Sequence, residues 1–357
     1  MSVRRGLSVL VIAGVAAALA APAASAKTKV VVAGGPPPKA SQAGGLKFPA
    51  DLDMNAFFRK TVTIHAGDSV KWVFSKRVVH TVTFLAKGDS RPPLEQPDPA
   101  NPYTGYNDSQ GVPFWFNGQP SIQIPPEHAF PQGGDTADGK TYRNSGLSAP
   151  AFKPYTLKFP KKGTYKYLCL VHPGMDARVK VLPKSATIPS AKADRKARNK
   201  EYAKALKDAK RLGKLKPSGN NVVAGNDNDT VAWFRFFPAT RTIKAGQSVR
   251  FSITSKSEIH TMSFGPQATS SFVEVQPQPA GPPRIQFDPR VIFPSDVPPL
   301  PPYTGANHGD GFFNTGVIDT NPASPNPSSV DVTFTKAGSY VYECTIHPGM
   351  QGTIKVE

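Results

Sequence analysis

The sequence is poor in cysteine and in long apolar runs. Its 357 residues include two cysteines, which excludes a scaffold held together by many disulfides. The one extended apolar run, from Leu7 to Ala21, is short for a membrane span of about 20 residues. It follows Arg4 and Arg5 and precedes Ala24-Ser25-Ala26, a pattern typical of a cleaved export signal over residues 1–26. A retained anchor and a twin-arginine signal are the alternatives.

The two cysteines occupy matching places in an internal repeat. The stretch Cys169-Leu170-Val171-His172-Pro173-Gly174-Met175 returns near the C-terminus as Cys344-Thr345-Ile346-His347-Pro348-Gly349-Met350. A further histidine lies upstream of each copy, at His80 and His260, and both are followed by threonine. Because a disulfide would not require matching neighbours, we expect no bridge between the cysteines.

Each copy offers a thiolate, two imidazoles and a thioether. Two histidines, one cysteine and a distant methionine are the ligand set of a blue-copper electron-transfer site. Zinc prefers closed cysteine and histidine sets without methionine, and a recurring complete set disfavours an ordinary core role. The sequence therefore predicts two mononuclear copper sites, with the ligands His80, Cys169, His172 and Met175 in one and His260, Cys344, His347 and Met350 in the other.

Short strands separated by Gly and Pro turns dominate the rest of the chain. Residues Thr61–Trp72 alternate apolar and polar side chains around a Gly turn, and Arg241–Phe251 repeats this pattern. The pattern predicts an all-β fold of two tandem Greek-key β-sandwich domains, at residues 46–183 and 218–357. Between its upstream histidine and its cysteine, each copy contains a long Pro- and Gly-rich region. This region could cover the metal site, form an interface or bind a ligand.

Two segments fall outside the repeat. Residues 27–45 contain Gly34-Gly35 and a run of prolines, which predicts a flexible tail. Residues 184–217 are rich in Ala, Lys and Arg, with twelve basic and three acidic residues between 184 and 216. Good helix formers without an apolar stripe predict a solvated basic helical linker. A charged spacer is the first interpretation, and docking to an acidic partner or an anionic envelope surface is the second.

The motifs resemble those of the cupredoxins, the small blue-copper proteins such as plastocyanin, amicyanin and pseudoazurin. The resemblance covers both halves and rests on the Ala-Gly-x-Ser-Val-x-aromatic strands, the Gly-x-Tyr-x-Tyr-x-Cys strands and the Cys-x-x-His-Pro-Gly-Met loops. It implies axial methionines, equatorial histidines and cysteines, and passage of electrons through His172 or His347. The chain departs from it at Thr81 and Thr261, where small cupredoxins often have Asn, and in its long middle regions. A threonine hydroxyl could still tie the ligand loops together.

We therefore expect an exported, non-enzymatic electron carrier of the periplasm or cell surface, with acidic redox partners and no nucleic acid. A copper delivery protein is the alternative, and an oxidase or nitrite reductase assembled as an oligomer is the third hypothesis. The His-x-His pairs of multicopper oxidases are absent from the sequence, and no histidine adjoins either cysteine. The remaining histidines, His65, His128 and His308, are expected at the surface.

Overall fold

A computed structural model describes residues 26–35, 45–228, 230–266 and 272–357. The predicted signal at 1–26 lies outside the described residues, except for its last residue. The prediction of an all-β fold is confirmed, since short strands account for most of the regular structure. The chain forms two β-sandwiches, which lie against each other and share elements.

The strands are β1 (Thr28–Ala33), β2 (Leu52–Asp53), β3 (Phe57–Phe58), β4 (Thr61–His65), β5 (Ser69–Phe74), β6 (Thr83–Phe84), β7 (Gln96–Pro102), β8 (Pro120–Ile124), β9 (Pro131–Gln132), β10 (Arg143–Ser145), β11 (Tyr155–Lys158), β12 (Gly163–Leu168), β13 (Asp176–Leu182), β14 (Asn221–Asp227), β15 (Ala232–Phe237), β16 (Thr240–Ile243), β17 (Ser248–Ile253), β18 (Ser263–Phe264), β19 (Val273–Gln276), β20 (Arg284–Phe287), β21 (Phe313–Asn314), β22 (Ser329–Thr333), β23 (Gly338–Glu343) and β24 (Gln351–Val356). The helices are α1 (Pro126–Ala129), α2 (Ala191–Leu212) and α3 (Pro289–Ile292), with a 3-10 turn at Asn307–Gly309.

The first sandwich packs a sheet of order β11-β5-β1-β3 against one of order β4-β13-β12-β6-β10-β9. In β13, every second side chain is buried, as the two-residue period of a half-buried strand requires. The inward side chains enclose a core around Trp72, which is fully buried and packs edge-on against Phe84 and Tyr167. This core also contains Cys169 and Met175, so the predicted ligands lie at its end.

The prediction of a flexible tail at residues 27–45 is wrong for residues 28–33. These residues form β1, which pairs in parallel with β5 and antiparallel with β3. Val31 and Ala33 are completely buried in the core. The signal for the strand is the run of β-branched residues in Lys-Val-Val-Val-Ala, which precedes the Gly- and Pro-rich part of the segment.

The second sandwich repeats this arrangement with sheets of order β2-β15-β14-β17-β22 and β16-β24-β23-β18-β21. Its core contains Phe251, Phe264 and Tyr342 together with Cys344 and Met350. One of its strands comes from the other half of the chain. Leu52 and Asp53 of β2 pair antiparallel with Trp233 and Ala232 of β15.

The two long middle regions form an interface with each other. They build a sheet of order β19-β20-β8-β7, in which β8 of the first half pairs with β20 of the second. Tyr103 donates a hydrogen bond across this interface to the carbonyl of Phe287 at 2.8 Å. Of the three roles considered for these regions, the structure therefore shows the interface.

Helix α2 occupies most of the predicted linker, but it is not solvated all round. Ser190 caps its N-terminus by accepting a hydrogen bond from the backbone N–H of Ala193. One face, formed by Tyr202, Ala205, Ala209 and Leu212, is buried against strands of both halves. Small alanines allow this close packing, so the helix fastens the two sandwiches together. Among the described residues, no helix has the length and apolar character needed to cross a membrane.

Candidate metal centres

Strand pairing brings the distant histidine of each half to its cysteine. His80 precedes β6, and Thr83 of β6 pairs with Leu168, the last residue of β12 before Cys169. In the second half, Ser263 of β18 pairs with Glu343, which precedes Cys344. The repeat in sequence is therefore a repeat in space, and each Cys-x-x-His loop closes over the end of one sandwich.

In the first site, three donor atoms surround a common point. Nδ1 of His80 lies 3.1 Å from Nδ1 of His172. Sγ of Cys169 lies 3.9 Å from the first of these nitrogens and 3.5 Å from the second. All three residues are buried, with at most 1% of each exposed.

The second site has the same geometry. The Nδ1 atoms of His260 and His347 are 3.2 Å apart, and Sγ of Cys344 lies 3.7 Å from one and 3.5 Å from the other. Donor atoms that bind one ion at about 2.0–2.3 Å lie about 3–4 Å from one another. Both groups therefore fit a single ion each.

The predicted methionine ligands lie in the loops that close the sites. The carbonyl of Met175 accepts a hydrogen bond from the N–H of Cys169 at 3.0 Å, and that of Met350 accepts one from the N–H of Cys344 at 2.9 Å. Each methionine is 1% exposed and belongs to the same buried cluster as its cysteine. Each core thus contains a thioether whose methionine follows the cysteine closely in the sequence.

Threonine ties the ligand loops together in both sites. The hydroxyl of Thr81 accepts a hydrogen bond from the N–H of Leu170 at 2.8 Å, and that of Thr261 accepts one from the N–H of Thr345 at 3.1 Å. The backbone N–H of each threonine points to the cysteine sulfur, at 3.4 and 3.5 Å. These threonines therefore fix the segment that carries the upstream histidine to the segment that carries the cysteine.

The electrostatics of both sites favour a thiolate. Burial by itself raises the pKa of Cys169, but His172 and His80 outweigh burial and hold the pKa well below its usual value. His347 and His260 do the same for Cys344. A thiolate, two imidazole nitrogens and a buried thioether are donors that suit copper in both oxidation states. The chain thus has two groups that fit two mononuclear copper ions.

Glu258 lies between the two sites. Its Oε1 is 3.6 Å from Nε2 of His172, and its Oε2 is 3.3 Å from Nε2 of His347. Burial raises the pKa of this carboxyl, but the neighbouring His172 and His347 outweigh burial and lower the pKa to about 2. Burial lowers the pKa of His347, whereas Cys344 and Glu258 together raise it to about 10.

Glu258 lies outside the repeated motifs, because the first half has no counterpart of it. Two residues before the upstream histidine, the second half has Glu258 and the first half has Val78. The only indication of Glu258 in the sequence is this difference between the two copies of the repeat, an acidic residue in one and an apolar residue in the other. His172 and His347, through which the resemblance implies that electrons pass, are both buried, and their Nε2 atoms face Glu258.

The remaining histidines lie outside both groups. His128 is 7% exposed and contacts the carbonyl of Leu94, so its predicted surface position is wrong. Nε2 of His65 lies 2.8 Å from the carbonyl of Ala186. His308 lies between two carboxylates, 3.4 Å from Asp108 and 3.2 Å from Asp296.

Comparisons with known proteins match the first sandwich to a copper-binding family. Residues 47–182 match the family model of copper-binding proteins of the plastocyanin/azurin family. A search of curated proteins finds no match to the chain. Among solved structures, amicyanin from Paracoccus versutus is 18% identical, covering 41% of this chain and 88% of that chain, with a TM-score of 0.22. A Cu(I) form of an amicyanin mutant is 17% identical, covering 34% and 70%, with a TM-score of 0.19.

The family match covers the first sandwich, including His80, Cys169 and His172. The second sandwich repeats the same donor atoms in the same geometry. Residues 47–182 therefore form a domain of the plastocyanin/azurin family of copper-binding proteins.

Proposed function

We propose that this protein is an exported electron carrier with one type 1 copper ion in each domain. The observation that carries the proposal is the pair of buried His–Cys–His groups, each with two Nδ1 atoms and one Sγ facing a common point. In each group the two histidines and the cysteine would hold the copper ion, and Met175 or Met350 would supply a further sulfur donor. The bound copper supplies a one-electron change of oxidation state.

The chain contributes rigidity and exclusion of water. The Thr81 and Thr261 hydroxyls fix the ligand loops, and the packed cores hold the sulfur atoms. Donors held by such contacts keep their positions when the charge of the ion changes. Little rearrangement is then needed when an electron arrives or leaves, which is the requirement for a carrier.

We propose that the protein has no enzymatic activity of its own. An oxidase or nitrite reductase would need a third copper site beside the two mononuclear ones. Among the described residues, the groups of three or more suitable ligands are the two already named. Elemental analysis of the copper-loaded protein is therefore expected to give two ions per chain, and a third would favour an enzyme.

The proposal of export rests on the N-terminal sequence pattern, and the proposal of acidic redox partners rests on the positive charge of the protein. The formal net charge of +18 includes many exposed basic side chains on α2. This surface would speed encounter with an acidic redox partner, and salt would weaken the effect. Contact with an anionic envelope surface through the same face of α2 is the second possibility. Fractionation of the native host cells would test export.

The visible absorption spectrum of the copper-loaded protein tests the proposed sites. Cys169→Ser and Cys344→Ser are each expected to remove one of two thiolate-to-copper absorption bands and to leave the other. A mild chelator added to the loaded wild-type protein separates a carrier from a delivery protein, because a delivery protein gives up Cu(I) readily. A spectrum without charge-transfer bands in either variant would contradict the proposal.

A further inference from the structure

The two proposed copper sites face each other across one carboxylate. The Nδ1 atoms of His172 and His347 belong to the donor groups, whereas their Nε2 atoms point to opposite oxygens of Glu258. The gaps are 3.6 and 3.3 Å. One residue therefore contacts a ligand histidine of each half, although it belongs to the second half alone.

Glu258 is held in place by both halves of the chain. Asn55 of the first half donates a hydrogen bond from Nδ2 to Oε1 at 2.5 Å. The backbone N–H of Glu258 donates to the hydroxyl of Ser255 at 3.0 Å, and Ser255 and Ser257 both donate to Asp227. The side chain of Glu258 is 5% exposed, so the carboxylate is buried between the two halves.

We propose that Glu258 joins the two copper sites into one two-electron unit. It fixes the outer nitrogen of one ligand histidine in each site, and it carries electrons between the sites. This inference rests on the proposed function, since it requires a redox-active ion at each site. A carboxylate behind a ligand histidine fixes the orientation of the ring and makes the metal-bound nitrogen a better donor.

Internal exchange needs no outside reagent. With Cu(I) held in one site and Cu(II) in the other, the rings of His172 and His347 and the carboxylate of Glu258 would pass one electron between the sites, so that oxidation at one site would balance reduction at the other. Tunnelling weakens steeply with each gap, and here two short contacts separate the imidazoles. The negative carboxylate also offsets the repulsion between two cationic sites in a buried region.

Copper affinity tests whether Glu258 positions ligands in both sites. Glu258→Gln is combined with Cys344→Ser, which leaves the first site intact, and separately with Cys169→Ser, which leaves the second. In both backgrounds we expect copper to bind the intact site about 10–100-fold more weakly. Weaker binding at the second site alone would overturn the inference.

Glu343→Gln is the matched control. Glu343 directly precedes Cys344, and its side chain contacts Gln351 rather than a ligand histidine. Glu343→Gln removes one negative charge near the second site, as Glu258→Gln does. It should leave the copper affinities of both sites unchanged. If neither single-cysteine variant binds copper before Glu258 is changed, the proposed function fails, which is a different result from failure of the bridge.

Electron exchange is measured on the fully oxidised two-copper protein. A photochemical reductant injects less than one electron per chain, and the absorption of each site is followed with the single-cysteine variants as reference spectra. We expect a relaxation independent of protein concentration, slower in Glu258→Gln than in wild type and unchanged in Glu343→Gln. A wild-type protein without this phase, or an equal rate in Glu258→Gln, would refute exchange through the carboxylate.

Thermal unfolding of the copper-free variants checks that each one folds. Should Glu258→Gln fail to fold, Glu258→Asp takes its place. The shorter side chain keeps the charge but cannot reach both rings, so weaker copper binding is expected in at least one single-site background. Unchanged affinity in both backgrounds would overturn the role of Glu258.

Discussion

Gly34 packs directly against the ring of His80, and a β-carbon on Gly34 would lie 2.1 Å from Nε2 of that ring. The second half repeats the contact, because a β-carbon on Gly225 would lie 2.3 Å from Nε2 of His260. These nitrogens face away from the donor groups, since Nδ1 of each ring faces the cysteine sulfur. Each glycine therefore presses the back of a ligand ring, and its lack of a side chain sets the position of the ring.

Gly225→Ala should displace His260 and weaken copper binding at the second site only. The backbone at this glycine has a φ of +64°, which costs another residue about 1–2 kcal/mol, and the ring must also move. Copper titration of the variant in the Cys169→Ser background measures the effect. Gly246→Ala is the control, because its φ is +84° but its β-carbon would meet nothing within 4 Å. Equal affinities in the two variants would show that the contact between Gly225 and His260 does not affect copper binding.

Thr81→Val should destabilise the copper-free protein by about 1–3 kcal/mol, since it leaves the buried N–H of Leu170 without its acceptor. Valine matches threonine in shape, so the change removes the hydroxyl and little else. Urea unfolding measures the difference in free energy. Thr81→Ser retains the hydroxyl and should cost less. If Thr81→Ser proved the more damaging variant, packing of the methyl group would be the main role of Thr81.

Tyr202→Ala should cost about 3–5 kcal/mol, the range for loss of a large buried aromatic side chain. The ring of Tyr202 is fully buried and stacks on Phe58 of the first half with centroids 4.0 Å apart. Unfolding by urea is again the measurement. Lys204→Ala, on the exposed face of the same helix, should change stability by a few tenths of a kcal/mol. Similar losses in the two variants would mean that α2 is not fastened through Tyr202.

The donor groups were accessible from the sequence because their chemistry is local and repeated. Cys169 and His172 lie in one short loop, and the matching loop at Cys344 identified the pattern. The threonine after each upstream histidine could be assigned in the same way. The alternation of apolar and polar residues predicts the strands, and their pairing brings His80 close to Cys169.

The relation between the domains was not accessible in this way. The buried face of α2 consists of Tyr202 and small residues, Ala205 and Ala209, which carry little hydropathic signal although their spacing fits one helix face. The sequence pattern therefore favours a solvated linker. The position of Glu258 depends on how the two sandwiches pack, which local periodicity does not encode.

The stability of the copper-free protein should depend on pH through Glu258. Its pKa in the folded protein is about 2, below the ordinary value of 4.5, so the folded state holds fewer protons than the unfolded state between these values. The stabilisation from the ionised carboxylate is thus fully present above about pH 4.5 and is lost as the pH falls toward 2.

Glutamine at this position does not titrate. The free energy of unfolding of wild type minus that of Glu258→Gln should therefore fall as the pH is lowered across this window. Urea unfolding at a series of pH values gives this difference, and Glu343→Gln serves as the comparison. A difference that rises as the pH falls would contradict the charge contacts of Glu258 with His172 and His347.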